Sequence, residues 1–297
     1  MRIAITLLLL FLAGCQSMRP TVPAVPDWQS PQGREHAQLG VIIDLRSGQQ
    51  ISPQQLVDEL ATAGHVLVGE QHDNPDHHAL QLWLLKALAQ YRPTGSLLLE
   101  MLTPSQQGEV DSSRAVTQAN QPPADLAKAL SWKEGWDWNY YGPIVRYALV
   151  QPYPLLAANL DREEIMAVYR QPPPLVGSAS TAASVRTALQ DDIRESHCGL
   201  LPESQMPPML AIQQQRDRRM AEQIKAAPQP SVLFAGAFHV RRDLGVPLHL
   251  QDLGDSTQTR VLTLAEVGRT VTAQQSDFVW YTAATPEQDH CAKLRKP

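Results

Sequence analysis

HVLVGEQHDNPDHHALQLWLL, residues 65–85, runs from a continuous apolar stretch through a polar junction into a helical pattern, and that passage decides the fold. HVLVGE (65–70) has the length and apolar continuity of a buried strand. Asn74 is a good helix N-cap, Pro75 suits the first helical position, and Leu80, Trp83, Leu84, Ala87 and Leu88 recur at helical spacing. A buried strand that feeds a helix at once is the unit of a parallel sheet covered on both faces. The junction crowds His72, His77 and His78, three of the nine histidines, with Glu70, Asp73 and Asp76. A metal site, an acid/base site or a polar cap around a cofactor would each use these residue types.

The unit recurs along the chain. SLLLEM (96–101), PLLAAN (154–159), SVLFAGAFHV (231–240), RVLTL (260–264) and DFVWYT (277–282) read as further strands, and Asp161 with Glu164 reads as a capping box. The prediction is an α/β fold, a mostly parallel sheet flanked by helices, with no internal repeat. Residues 169–208 break the rhythm. They carry proline clusters at both edges, no strand signal and one helical stretch near 181–194, so they read as a small helical inserted domain. The core domain then comprises 36–168 and 209–297. Met209, Ile212, Arg216, Met220 and Ile224 predict a longer amphipathic helix just after the insert.

MRIAITLLLLFLAGCQ (1–16) has a single charge, Arg2, then an apolar run of about ten residues, too short to span a bilayer, which takes about 20. Residues 1–14 read as a signal peptide whose small-residue box leads to Cys15, the lipidated first residue of a mature lipoprotein. Gln16 favours the outer membrane, so the expected location is the cell envelope, lipid-anchored. Residues 15–35, rich in Pro, Ser and Gln, read as a flexible tether. The net charge of −5 becomes −6 once Arg2 leaves, and no basic run suggests a nucleic-acid partner. With Cys15 on lipid, Cys198 and Cys291 remain, a disulfide candidate in the periplasm.

Ligands of open parallel sheets bind beyond the carboxyl ends of the strands. Glu70 with His72, Glu100, Asn159 and His239 stand at four such ends. Taken singly, Glu70 or Glu100 could instead serve a helix N-terminus, worth about 0.3–1 kcal/mol. His77 and His78 fall in a first helical turn, where at least one should face solvent. His65 and His249 start or occupy short strands and read as structural. SWKEGWDWNYYGP (131–143) holds three of six tryptophans and two of seven tyrosines, a satellite core or a wall for a flat apolar ligand.

GEQH (69–72), LLLEM (97–101), AAN (157–159) and AGAFHVRRDLGVPLHL (235–250), in that order, resemble the haem-binding, iron-regulated lipoproteins of the ChaN type. Their wider superfamily includes erythromycin esterases and TraB/Tiki proteins. The resemblance spans about residues 38–285. It implies an α/β core with a small helical domain, haem as cofactor, a homodimer around a stacked haem pair, a tyrosine on iron and a partner-chain histidine near the propionates. Tyr141, preceding Gly-Pro at a helix entry, is the first candidate ligand, then Tyr140 and Tyr169. Phenolate is a hard donor suited to ferric iron, but phenol titrates near 10, so a cation must help ionise it. Arg146, one turn from Tyr141, is placed to do so, as are His239 or Arg241. Trp132, Trp136 and Trp138 would supply apolar surface.

The expected function is a lipid-anchored haem-binding protein of haem and iron acquisition, with an outer-membrane haem receptor as a further partner. Glu70, Glu100, His72, His77, His78 and His239 would form a polar shell for haem, with no metal beyond its iron and no catalytic residue. The rival is a metal-dependent hydrolase in which His72 or His239 is the base and Glu70 or Glu100 orients it or binds metal. No G-x-S-x-G or H-E-x-x-H motif supports the rival, and no C-x-x-C-H motif points to covalent haem.

Overall fold

The computed structural model describes residues 21–293, so the lipobox with Cys15 lies outside the described part. Its strands are β1 (Ile42–Asp44), β2 (Gln49–Ile51), β3 (His65–Glu70), β4 (Ser96–Leu99), β5 (Leu155–Ala157), β6 (Ser231–Gly236), β7 (Thr259–Glu266) and β8 (Phe278–Thr282). They form one sheet in the order β2-β1-β8-β7-β3-β6-β4-β5. The six strands from β3 to β8 run parallel, and β1 is antiparallel to both its neighbours. The helices are α1 (Pro53–Ala61), α2 (Pro75–Leu88), α3 (Gln107–Gln118), α4 (Leu126–Ala129), α5 (Trp138–Leu149), α6 (Arg162–Arg170), α7 (Ala183–Ser196), α8 (Met206–Ala226), α9 (Ala237–Val240) and α10 (Val246–Asp252).

Alternate residues of each strand feed opposite faces. Val66, Val68, Leu97, Leu99 and Phe234 pack under α1, α2, α3 and α5, while Leu67, Leu98, Leu233 and Ala235 pack under α8 and α10. Both faces are therefore dry, which is why these strands read as unbroken apolar runs. Asn74 caps α2 by accepting from the Asp76 amide at 2.9 Å, and the Asp161–Glu164 capping box opens α6.

Several expectations change. Six strands were legible, but β1 and β2, three residues each, are too short to show a period. The 231–240 stretch stops being a strand at Gly236, because Ala237–Val240 turn into α9. His249 lies in α10 and not in a strand. The described part of the expected tether, residues 21–35, is laid against the fold. Pro23 O accepts from the Trp83 indole at 2.9 Å, Asp76 accepts from the amides of Gln29 and Ser30 at 2.6 and 3.0 Å, and Gln32 bridges to Ala284. A buried carboxylate at the start of α2 thus ties the strap down, an interaction invisible to composition.

Within 169–208, Val185, Leu189 and Ile193 of α7 pack on Met206 and Leu210 of α8 and on Leu244, a cluster separate from the sheet cores. Asp252 accepts from the amides of Ser178, Ala179 and Ser180 at 2.8–2.9 Å, fixing the approach to α7. Cys198 is bonded to Cys291 with the Cα atoms 5.9 Å apart, tying the end of α7 to the C-terminal segment.

Candidate functional site

The registers bring four strand ends to one rim. Glu70 pairs with Gly236 across β3 and β6, Glu100 follows Leu99 of β4 directly, and Asn159 follows β5. The Asn159 side-chain amide donates to the Glu100 carbonyl at 3.0 Å, so the two loops are locked together. Gly69 lets α9 sit on β3: a Cβ there would fall 2.9 Å from the Ala237 Cα. That seating carries His239 over the rim from a helix.

Two carboxylate–histidine pairs result, and they differ. In the first, His239 is buried between two carboxylates, with Nδ1 2.5 Å from Asp217 and Nε2 3.2 Å from Glu100. The second Glu100 oxygen accepts from the Gly236 amide at 2.7 Å. Burial alone would lower the His239 pKa, but Glu100 and Asp217 more than offset it and raise it to about 10. Burial would raise Glu100, yet His239 holds it at about 2. Both His239 nitrogens face acceptors, so both carry protons, and an imidazolium has no lone pair with which to act as a base. The site-base role expected of His239 is therefore closed by its own partners.

In the second pair, His72 Nδ1 lies 2.6 Å from Glu70 Oε1, while its side chain remains 46% exposed. The Tyr141 hydroxyl donates to the same Glu70 oxygen at 3.0 Å. Burial opposes protonation of His72, but the Glu70 hydrogen bond and charge outweigh it and raise its pKa. The edge of His72 meets Trp136 with ring centroids 4.8 Å apart. A Cβ at Gly236 would stand 2.9 Å from the His72 Cε1, so glycine is what leaves room for the ring.

Tyr141 itself is 1% exposed. Burial first, then the adjacent Glu70 carboxylate, push its phenol far above the usual range. Arg146, the cation assigned to assist it, sits over the Trp138 ring at 5.4 Å instead. Tyr140 stacks on His78 at 5.2 Å, and Tyr169 lies on α6, half-buried. His77 is fully buried and pinned, its Nδ1 accepting from the Gln71 amide at 2.8 Å and its Nε2 2.9 Å from Thr282 Oγ1. His78 is also buried, with Nε2 donating to the His72 carbonyl at 3.0 Å. Neither faces solvent, because Asp76, His77 and His78 are all buried in the first turn of α2. Trp132, Trp136 and Trp138 are a satellite of the main core: Trp132 and Trp138 meet edge to face with centroids 4.9 Å apart, and Trp136 turns its ring to His72 and Tyr141.

Two cavities open at the rim. The larger, about 440 Å³, has Leu264, Ala265, Val271 and Phe238 among its apolar lining and His72, Glu266 and Arg269 among its polar lining. The smaller, about 170 Å³, lies between α7 and the rim and shares His72, Gly236 and Phe238. Phe238 is 61% exposed, an unusual position for a large apolar ring. Arg241 is engaged by Asp243 at 2.8 Å and Asp192 at 3.3 Å, whereas the Arg269 guanidinium has no partner among the described residues. Among the described residues, no group of three or more His, Cys, Asp or Glu side chains is arranged to hold a metal ion.

Asp217, Phe238 and Arg269 escaped the sequence reading. Asp217 had a signal: it falls on the stripe Leu210, Gln214, Asp217, Ala221 and Ile224 that α8 actually buries, and a buried acid on such a stripe asks for a partner. Phe238 and Arg269 had none, since their roles depend on loops from three strands meeting.

A family model described as haem-binding uptake, Tiki superfamily, ChaN, matches residues 56–250. The solved structure reported as cofacial heme binding to ChaN of Campylobacter jejuni is 31% identical, covering 81% of this chain and 95% of that one with a TM-score of 0.73. A succinoglycan biosynthesis protein (9% identical, 77% and 90% covered, TM-score 0.48) and an erythromycin esterase mutant in its open conformation (10%, 82% and 82%, 0.44) are too remote to carry an argument. No curated protein matches. The sequence match across the rim-bearing strands and the shared fold make this chain a member of the ChaN family of haem-binding uptake proteins.

Proposed function

We propose that the chain is a lipid-anchored envelope protein that holds haem at the rim, between two copies of itself, during haem and iron acquisition. One observation carries the reading: the larger rim cavity joins apolar walls and an exposed Phe238 to the His72 imidazole and to the Arg269 guanidinium, which is unpaired among the described residues. A haem has the matching parts, a flat apolar macrocycle for the walls and two carboxylates for the polar groups. Haem would lie along those walls, with His72 and Arg269 as the groups that would meet its polar edge. When bound, haem supplies iron in a transportable form, and the chain's part is to bind it and keep it from water.

Phe238 stands out from the surface, so one chain covers one side of a flat ligand, and a second copy would cover the other. The anchor at Cys15 would keep the carrier in the envelope, where an outer-membrane haem receptor is the fitting partner. Titrating purified protein with hemin should give a saturable Soret band, and Arg269→Glu should weaken binding without lowering the thermal midpoint. No Soret shift relative to free hemin would overturn the proposal.

The hydrolase remains a second reading because the Glu70–His72 pair also suits a general base. It would gain from stoichiometric zinc or manganese in purified protein that is lost, with esterase or peptidase activity, in His72→Ala.

A further inference from the structure

We infer that the strap over residues 28–33 is a latch on the larger rim cavity, so that its seating sets how firmly the chain holds hemin. The inference rests on the haem reading above. It adds to that reading a segment distant from the cavity in sequence, the one that leads back to Cys15.

Asp76 begins the connection. It is buried, and its two oxygens accept from the Gln29 and Ser30 amides, with no cation beside it among the described residues. A buried carboxylate stripped of such donors is costly, so the start of α2 and the strap depend on each other. Asn74, also buried, passes the tie on. Its carbonyl oxygen accepts from the Ser30 hydroxyl at 3.2 Å and the Asp76 amide at 2.9 Å. Its amide nitrogen donates to the Ala283 carbonyl and to Glu266 Oε1, both at 3.0 Å, so the whole side-chain amide is satisfied. A second route runs through the backbone. Gln32 and Ala284 exchange amide bonds at 3.0 and 2.9 Å. The next residue, Thr285, donates to the same Glu266 oxygen from its amide at 2.7 Å and its hydroxyl at 2.8 Å.

Both routes end in the cavity wall. Glu266 and Gln71 line the larger cavity, and the Gln71 side chain donates to Glu266 Oε1 at 3.2 Å. One oxygen thus gathers Gln71, Asn74 and Thr285, and the last two are the ends of the routes from the strap. The strap itself has no helix or strand over residues 21–31, so it opens more readily than the elements beneath it. When it lifts, Asp76 loses both strap amides and Asn74 loses the Ser30 hydroxyl. Glu266 and Gln71 are then no longer fixed in the wall, and the cavity slackens around its ligand.

The test follows strap opening and hemin release in the same samples of full chain. Gln29→Pro deletes one amide donor to Asp76 and touches nothing in the cavity wall. Gln32→Cys with Ala284→Cys should staple the strap shut, since residues paired this way across an antiparallel bridge lie about 5.5 Å apart, within disulfide reach. Hydrogen exchange reads opening at the amides of Ser30 and Gln32, and excess apomyoglobin reads the rate at which hemin leaves. Gln29→Pro should speed both, release by about tenfold, the equivalent of one hydrogen bond to a charged group. The staple should slow both, and reductant should reverse it beyond any change made in wild type, whose Cys198–Cys291 bond the reductant also meets. In hemin-free protein, Gln29→Pro should also speed exchange at the Gln71 amide, which His77 holds at 2.8 Å. Release that stays constant while strap exchange changes would overturn the latch and leave the haem reading intact. A strap whose exchange none of these substitutions moves would do the same. Wild-type protein that binds no hemin would overturn the haem reading, while faster Gln71 exchange in Gln29→Pro would still support the coupling of strap to wall.

Discussion

Glu70 and Glu100 are both buried carboxylates beside a histidine, yet their neighbours give them different work. Glu100 is closed in with His239 and Asp217, so it stabilises a fixed charge; Glu70 reaches a half-exposed ring. Breaking the closed pair with Glu100→Gln leaves an imidazolium short of a partner, a change that costs about 3–5 kcal/mol in comparable sites. Urea unfolding should read that loss. The pH dependence follows from the shifts. His239 rises from 6.5 to about 10, so its contribution is full below 6.5 and is lost as pH climbs through 10. Glu100 falls from 4.5 to about 2, so its contribution is full above 4.5 and is lost as pH drops through 2. The stability gap between wild type and His239→Gln should therefore be widest between these ranges and close at alkaline pH. Tyr141→Phe should cost about 1.5–3 kcal/mol of unfolding free energy, the worth of a hydrogen bond to a charged group. Sequence position showed that Glu70, His72, Glu100 and His239 share a rim, because strand ends in parallel sheets converge. It could not show which histidine is closed in, since that depends on Asp217 arriving from α8.

At the scale of elements, buried strands and capped helices were legible wherever an element was long and dry. β3, with all six residues buried, and α2, with its Asn74 cap, are examples. Elements built on side-chain ties were not. The short hairpin β1–β2 shows no period, and α9 looks like a strand because its four residues continue an apolar run. The stripe on α8 was legible in part: Ile212, Met220 and Ile224 are buried as expected, whereas Gln214 and Asp217, polar yet buried, break the apolar pattern. The link between α7 and the C-terminal segment gives an element-scale prediction. The Cys198–Cys291 bond closes a loop of 93 residues, worth about 4–5 kcal/mol in the chain-entropy model. Cys198→Ser should lower the unfolding free energy by up to that amount. Mass spectrometry of periplasm-derived protein that finds two free thiols would remove the prediction's basis.

For the whole molecule, the proposed pairing around haem predicts that hemin drives assembly. Sedimentation should show a monomer without hemin and a dimer with it, and Phe238→Ser should weaken the dimer more than it weakens the fold, because that ring is 61% exposed in the single chain. The proposed anchor predicts that Cys15→Ser protein escapes lipoprotein signal peptidase and leaves the membrane fraction; identical processing and fractionation under globomycin would refute it. The strap held by Asp76 and Trp83 changes what that anchor means. A tether ending near residue 35 would allow about 70 Å of contour at about 3.5 Å per residue. Because Val22 already meets Gln54 and Pro23 meets Trp83, only the residues between Cys15 and Val22 remain, about 25 Å at the same rise. With the proposed anchor in place, so short a leash would hold the domain close to the lipid surface, and haem would pass to neighbours within that reach.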